Sequence, residues 1–222
     1  MINNILNLVS NYGVKFLQGA GYTLMFSAIT VFFGVIFGSL ICMVKRSRFI
    51  VLRFIAGVYI EVIRGTPILL QMFFFYFFLP LMTKNTLNLS KTVSIVIALI
   101  VNSAAYVSEI VRSGIQAVDY GQTEAARSLG LNRRQTMMRV ILPQAVRNIL
   151  PTLGNEFIMV IKETALGSTF YIGELMTVRA ELQAALFLAI EPLVIVAAIY
   201  LVLTFSLSKG VAFIERRMAQ GD

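Results

Sequence analysis

Histidine is absent from the 222 residues and cysteine occurs once, at Cys42. These two absences remove His-based acid–base catalysis, disulfides within the chain, thioredoxin-type redox pairs and Cys/His zinc sites, so no metal centre is expected. Charge is scarce as well: 14% of residues are charged, against about 25% in an ordinary soluble domain. No G-x-x-x-x-G-K-[ST] phosphate loop occurs anywhere, so the chain is expected to hold no nucleotide or other cofactor and to be no enzyme. What fills the space is apolar: 58% of the residues, arranged in long blocks. A helix needs roughly 20 apolar residues to cross about 30 Å of hydrocarbon at 1.5 Å per residue, and the blocks have that length. A polytopic all-α membrane protein is therefore expected, with Cys42 as a packing residue inside an apolar run.

Hydropathy places five spans at about 18–44, 53–80, 91–113, 149–171 and 189–213. The first apolar block, Phe16 to Val44, is too long for a signal-peptide core and its basic cluster follows it, so it is read as a retained span. A net charge of +8 would suit nucleic acid in a soluble protein, but here the placement of Lys and Arg decides. Lys45, Arg46, Arg48 and Arg53, then Arg112, Arg127, Arg133, Arg134, Arg139 and Arg147, then Lys209, Arg216 and Arg217 all fall on one side, against Lys15, Lys84, Lys91 and Arg179 on the other. The positive-inside rule makes the first group cytoplasmic, with the amino terminus outside and the carboxyl terminus inside. No nucleic-acid partner is expected. Gly34 and Gly38 form a small-xxx-small pair that lets another helix approach, either within the subunit or in a dimer.

The region that reads as soluble is 114–148. Asp119 with Gln122, and Asn132 with Gln135, have the spacing of capping boxes and predict two short helices. Gly130 is placed to stop the first and Pro143 to end or redirect the second. On the first helix Ala125, Ala126 and Leu129 are expected on one face, away from Glu124 and Arg127. This pattern, Glu124-Ala125-Ala126, three residues, Gly130, nine residues and Val140-Ile141-Leu142-Pro143, resembles the EAA loop of ABC importer permeases. Glu61-Val-Ile-Arg64-Gly65-Thr66-Pro67-Ile-Leu-Leu-Gln71 and Pro151-Thr-Leu-Gly154-Asn155-Glu156-Phe157 are similar to the polar amino acid permeases of that family. The resemblance implies one transmembrane domain over 1–222 in the cell membrane of a prokaryote, with the loop 119–143 as the coupling element. It also implies partners: two copies of a separate ATPase subunit holding ATP and Mg, a second permease, identical or paralogous, and an external substrate-binding protein. The implied cargo is a polar amino acid. An ion-coupled secondary transporter or channel is the alternative, although neither needs the EAA-like loop.

Charges at membrane depth need a partner or a water-lined cavity, since each costs about 2.5–3.5 kcal/mol. Counted inward from the span ends, Arg64, Asn102, Lys162 and Glu163 reach similar middle depths. Transport sites sit near the midplane at interrupted helices, and Arg64-Gly65-Thr66-Pro67 supplies an interruption. Lys162 is a candidate for the substrate carboxylate, and Glu163 with Asn102 and Thr164 for the ammonium group or a polar side chain. The alternative is structural: Lys162 paired with Glu156 or Glu163, and Glu61 with Arg64 at i,i+3 spacing, which favours pairing for those two. Glu109 and Arg112 share that spacing and are read as a structural pair. Glu191-Pro192 is read as the first turn of the last span, and Phe73 to Phe78 as an interfacial belt or lipid-facing surface.

Overall fold

The computed structural model describes residues 1–84, 86–87 and 89–219, so the last three residues of the expected domain lie outside the described residues. Among the described residues the chain is helical and contains no strand. Long helices run over Ile2–Lys45 (α1), Lys91–Gln116 (α5) and Glu191–Ala219 (α10), and these three are long and apolar enough to cross a membrane. A fourth crossing is formed if α2 (Ile50–Arg64) is taken with Ile68–Met82, two helices bent by 107° at the intervening Gly65-Thr66-Pro67. The second of these is α3 (Ile68–Phe73), a π turn (Phe74–Phe78) and α4 (Leu79–Met82). The expected second span is thus two helices, which form either a broken span or a re-entrant pair. The expected fourth span, 149–171, is carried by α8 (Leu142–Glu163) and a 3-10 segment (Thr164–Phe170). Its Gln144, Arg147, Glu156, Lys162 and Glu163 leave it outside the set that qualifies by length and composition.

Two differences from expectation have a common cause. Helix α1 begins at Ile2 and not near residue 18, and the segment expected as a loop after 171 contains α9 (Leu175–Leu186). Ile5, Leu8, Tyr12 and Phe16 recur at helical spacing and pack against Leu175, Val178 and Leu182 of α9 and Ile195 and Val196 of α10. Neither amphipathic segment is apolar enough to read as a span, and each is fixed by the other. Gly19 allows the approach: a Cβ there would lie 2.8 Å from Val178 and 3.1 Å from the Leu175 backbone.

Helix α5 is the centre of the bundle and touches α1, α2, α3 and α8. Its contact with α1 uses the two glycines. A Cβ at Gly34 would come within 2.8 Å of Ser103 Oγ, and at Gly38 within 2.8 Å of both the Ala104 carbonyl and Val107. The small-xxx-small pair therefore serves packing within the subunit.

The two π turns, Phe74–Phe78 and Met137–Ile141, are followed within two residues by Pro80 and Pro143. A proline ring collides with the carbonyl four residues back and offers no amide to it; widening the helix by one residue over that turn relieves both problems. Consequently Pro143 neither ends nor sharply redirects the second loop helix. The chain runs from α7 (Arg133–Thr136) through the π turn into α8 without a break.

Candidate functional site

The break between α2 and α3 leaves carbonyls at the end of α2 without helical donors, because Pro67 has no amide and the axis turns away. Gln71 supplies the missing donor. Its Nε2 donates to the Ile63 carbonyl at 2.8 Å, the Thr66 carbonyl at 3.1 Å and Thr66 Oγ1 at 3.0 Å, while Thr66 Oγ1 donates back to Val62 O at 2.8 Å. Asn102 Nδ2 of α5 donates to Gln71 Oε1 at 3.1 Å, and Tyr59 OH donates to the Val101 carbonyl at 2.6 Å. Both sides of the bend are thereby pinned to the central helix. Gln71 and Asn102 are 6% and 3% exposed, which gives the bond between them an environment with little competing water.

The candidate side chains do not join in one hydrogen-bonded cluster. Glu61 and Arg64 are exposed and form no ion pair among the described residues; Arg64 instead lies over the Tyr106 ring, Cζ 5.3 Å from its centroid. Lys162 is exposed and unpaired with either Glu156 or Glu163, and it borders a small cleft with Met176 and Tyr200. Glu163 is half-buried, and Glu156 accepts from Ser103 Oγ at 2.9 Å. Buried Thr164 donates to the Ile161 carbonyl at 2.7 Å. The structural pairings considered for Glu61, Arg64 and Lys162 are therefore not formed within the subunit. The Glu109–Arg112 pair is formed, with Nη2 2.6 Å from the carboxylate, and Lys45 of α1 adds a second cation at 2.8 Å.

Sequence reasoning missed Glu174. It is fully buried and caps α9, accepting from the Met176 and Thr177 amides at 2.6 and 2.7 Å, Thr177 Oγ1 at 2.9 Å and Tyr200 OH at 3.4 Å. The available signal was an acidic residue three positions before a threonine at the start of an apolar periodicity. Asn4 donates to Glu191 at 3.0 Å, which places the start of α1 beside the start of α10.

At the opposite end the basic segments collect. Lys45, Arg46, Arg112, Arg127 and Arg133 border one basin of about 1110 Å³. Above it lies α6 (Tyr120–Ser128). Its start differs from the expected capping box: Asp119 accepts from the Gly121 amide at 2.6 Å, while the Gln122 side chain accepts from Gln144 Nε2 of α8 at 3.3 Å. The Asn132–Gln135 box is present in both directions, at 2.9 Å each. Gly130 ends α6 at φ +84°, with its amide on Arg127 O at 3.0 Å and the Leu131 amide on Ala126 O at 3.1 Å, a Schellman closure. Of the three residues expected on one face, Ala126 is 4% exposed and faces its own subunit, where α6 packs on the π turn; Ala125 is exposed, as is Glu124, and Leu129 is 84% exposed. A nine-residue helix needs an inward anchor, and Ala126 provides it.

Three helices long and apolar enough to cross a membrane, packed with a sharply bent helical pair pinned to the central one, define a polytopic integral membrane protein. Residues 30–220 match the family described as the binding-protein-dependent transport system inner membrane component, and the chain belongs to that family. It is 38% identical to the arginine transport system permease protein ArtQ of Bacillus subtilis, covering 93% of each chain, and 39% identical to the glutamine transport system permease protein GlnP of Escherichia coli, covering 91% of this chain and 92% of that one. A crystal structure of an amino acid ABC transporter with histidines superposes at a TM-score of 0.91 and 43% identity, over 96% of this chain and 98% of that one. The methionine transporter MetNI, in an inward-facing form, shares the fold at TM-score 0.74 and 18% identity.

Proposed function

We propose that this chain is the membrane-spanning permease subunit of an ATP-driven importer of polar amino acids, coupled through α6 to a separate ATPase subunit. The observation that carries the reading is α6 itself. It is capped at both ends, anchored by Ala126, and turned so that Tyr120, Glu124, Ala125 and Leu129 face outward at the basic end, with Tyr120 73% and Leu129 84% exposed. A short helix fixed on one side and uncovered on the other is suited to insertion into a partner's groove. The relatives named for arginine and glutamine transport support a polar amino acid as cargo.

In this reading five spans cross the bilayer, with α8 as the fourth, the amino terminus outside and the carboxyl terminus inside. Two ATPase subunits hold ATP and Mg, a second permease completes the pathway, and an external binding protein delivers the amino acid. ATP-driven closure of the ATPase pair moves the α6 helices together and shifts the bundle between inward-open and outward-open states. Lys162 and Glu163, with Asn102, Thr164, Arg64 and Glu61, remain the candidates for contacts with the substrate. The exposed Lys162, Glu61 and Arg64 are the stronger ones, because they are accessible and form no ion pair among the described residues.

The test is uptake of a labelled amino acid panel into liposomes holding the chain with its ATPase and binding protein. Uptake should require ATP, Glu124→Lys should abolish ATPase association, and Lys162→Ala should abolish uptake with the complex still assembled. Uptake without the ATPase would favour the ion-coupled or channel reading.

A further inference from the structure

Two cavities at the basic end meet at a shared edge. One is a cleft of about 500 Å³ between α1, α5 and the π turn with α8, bordered by Val35, Cys42, Val111, Leu142 and Val146 and apolar along its depth apart from Ser39. The other is the cationic basin beneath α6. Arg46, Ile115 and Met137 border both. Within the basin Lys45 and Arg112 are held by Glu109, but among the described residues Arg46, Arg127 and Arg133 carry no ion pair, and Asp119 is the one acidic side chain on its border. The combined shape is amphipathic, apolar on the membrane side and cationic on the other.

Depth fits as well. On α1 the cleft runs from Val35 to Arg46. Eleven residues at 1.5 Å make about 16 Å, close to half of a 30 Å hydrocarbon layer. Arg46 directly follows the last residue of the apolar helix, the place where a spanning helix meets the headgroups. Water and soluble anions have no reason to enter an apolar slot one leaflet deep, whereas an acyl chain does, and a phosphate at its head meets unpaired arginines.

We propose that this cleft binds an anionic phospholipid, with an acyl chain between α1 and α8 and the phosphate on Arg46. The site reaches Met137, the first residue of the π turn on which α6 packs, so lipid occupancy bears directly on the support of α6. The proposal concerns a lipid at the bilayer edge and is independent of which amino acid is carried.

The test uses the permease purified with its ATPase partner in detergent, with retained lipid counted by native mass spectrometry after titration with phosphatidylglycerol or phosphatidylcholine. The wild type should retain phosphatidylglycerol in preference to phosphatidylcholine. Arg46→Gln should weaken that retention about fivefold, the factor carried by one basic residue near an anionic surface. Val146→Trp, which fills the cleft, should remove it, whereas Arg53→Gln, a headgroup-level change outside the cleft, should leave it unaltered. Free glycerol 3-phosphate should not compete. Equal loss in Arg46→Gln and Arg53→Gln, equal retention of the two lipids, or competition by glycerol 3-phosphate would each overturn the proposal. So would efficient cross-linking of a cysteine at position 146 to a second permease, which would show protein and not lipid in the cleft.

Discussion

Among individual residues, Gln71 has the largest structural task relative to its size. One amide closes two carbonyls at the break and receives Asn102, the last bond being fully buried. Gln71→Ala strands those acceptors and is expected to cost about 1–3 kcal/mol, read as a lowered Tm of the detergent-solubilised complex. Asn102→Ala should cost less, because Gln71 keeps its bonds to Ile63 and Thr66. Equal losses would mean that Asn102 and not Gln71 organises the bend. Gly38→Val is expected to be more disruptive than Gly13→Val: at Gly38 a Cβ meets backbone and Val107 at 2.8 Å, while nothing lies within 4 Å of one at Gly13. Arg64, Gly65, Pro67, Asn102 and Gln71 were all visible in the sequence, as was the interruption itself. The 107° bend and the identity of its fastener were not, because a glutamine's partners eight and thirty-one residues away depend on how the chain returns.

At the scale of elements, α6 shows how far local rules reach. Gly130, the Asn132–Gln135 box and the helix between Asp119 and Gly130 follow from short-range chemistry and are present. The division of Ala125, Ala126 and Leu129 between outside and inside needed the packing of α6 on the π turn. Leu129→Asp is expected to leave the permease folded, since the side chain touches little of its own subunit, and to release the ATPase by at least tenfold in a pull-down. Ala126→Asp should instead lower the Tm, placing a carboxylate in a buried contact. Were both substitutions to act alike, the outward face of α6 would not be an interaction surface. The amphipathic start of α1 and all of α9 escaped the hydropathy pattern for the complementary reason. Each is stabilised by the other across more than 150 residues, as the packing of Leu8 and Phe16 with Leu175 and Leu182 illustrates, and neither is apolar enough to stand out alone.

For the whole molecule, the subunit is unfinished by itself. Glu61, Arg64 and Lys162 are exposed on segments read as membrane-spanning, and each charge left against lipid there costs about 2.5–3.5 kcal/mol. Arg179 Nε and Gln183 Oε1 of α9 are buried without a hydrogen-bond partner among the described residues. A second permease related by an axis normal to the membrane can cover such groups or enclose them with water, and either outcome turns a cost into a pathway. If so, cysteines introduced on the Cys42→Ala background should distinguish two sets of positions. A cysteine at Glu61 or Lys162 should react with a polar maleimide in the assembled complex and lose that reactivity when substrate is trapped inside. A cysteine at Leu40, exposed on a uniformly apolar face of α1, should remain unreactive throughout. Reactivity at Leu40 equal to that at Lys162 would place all these faces against the same solvent and remove the reason to build the pathway around Lys162.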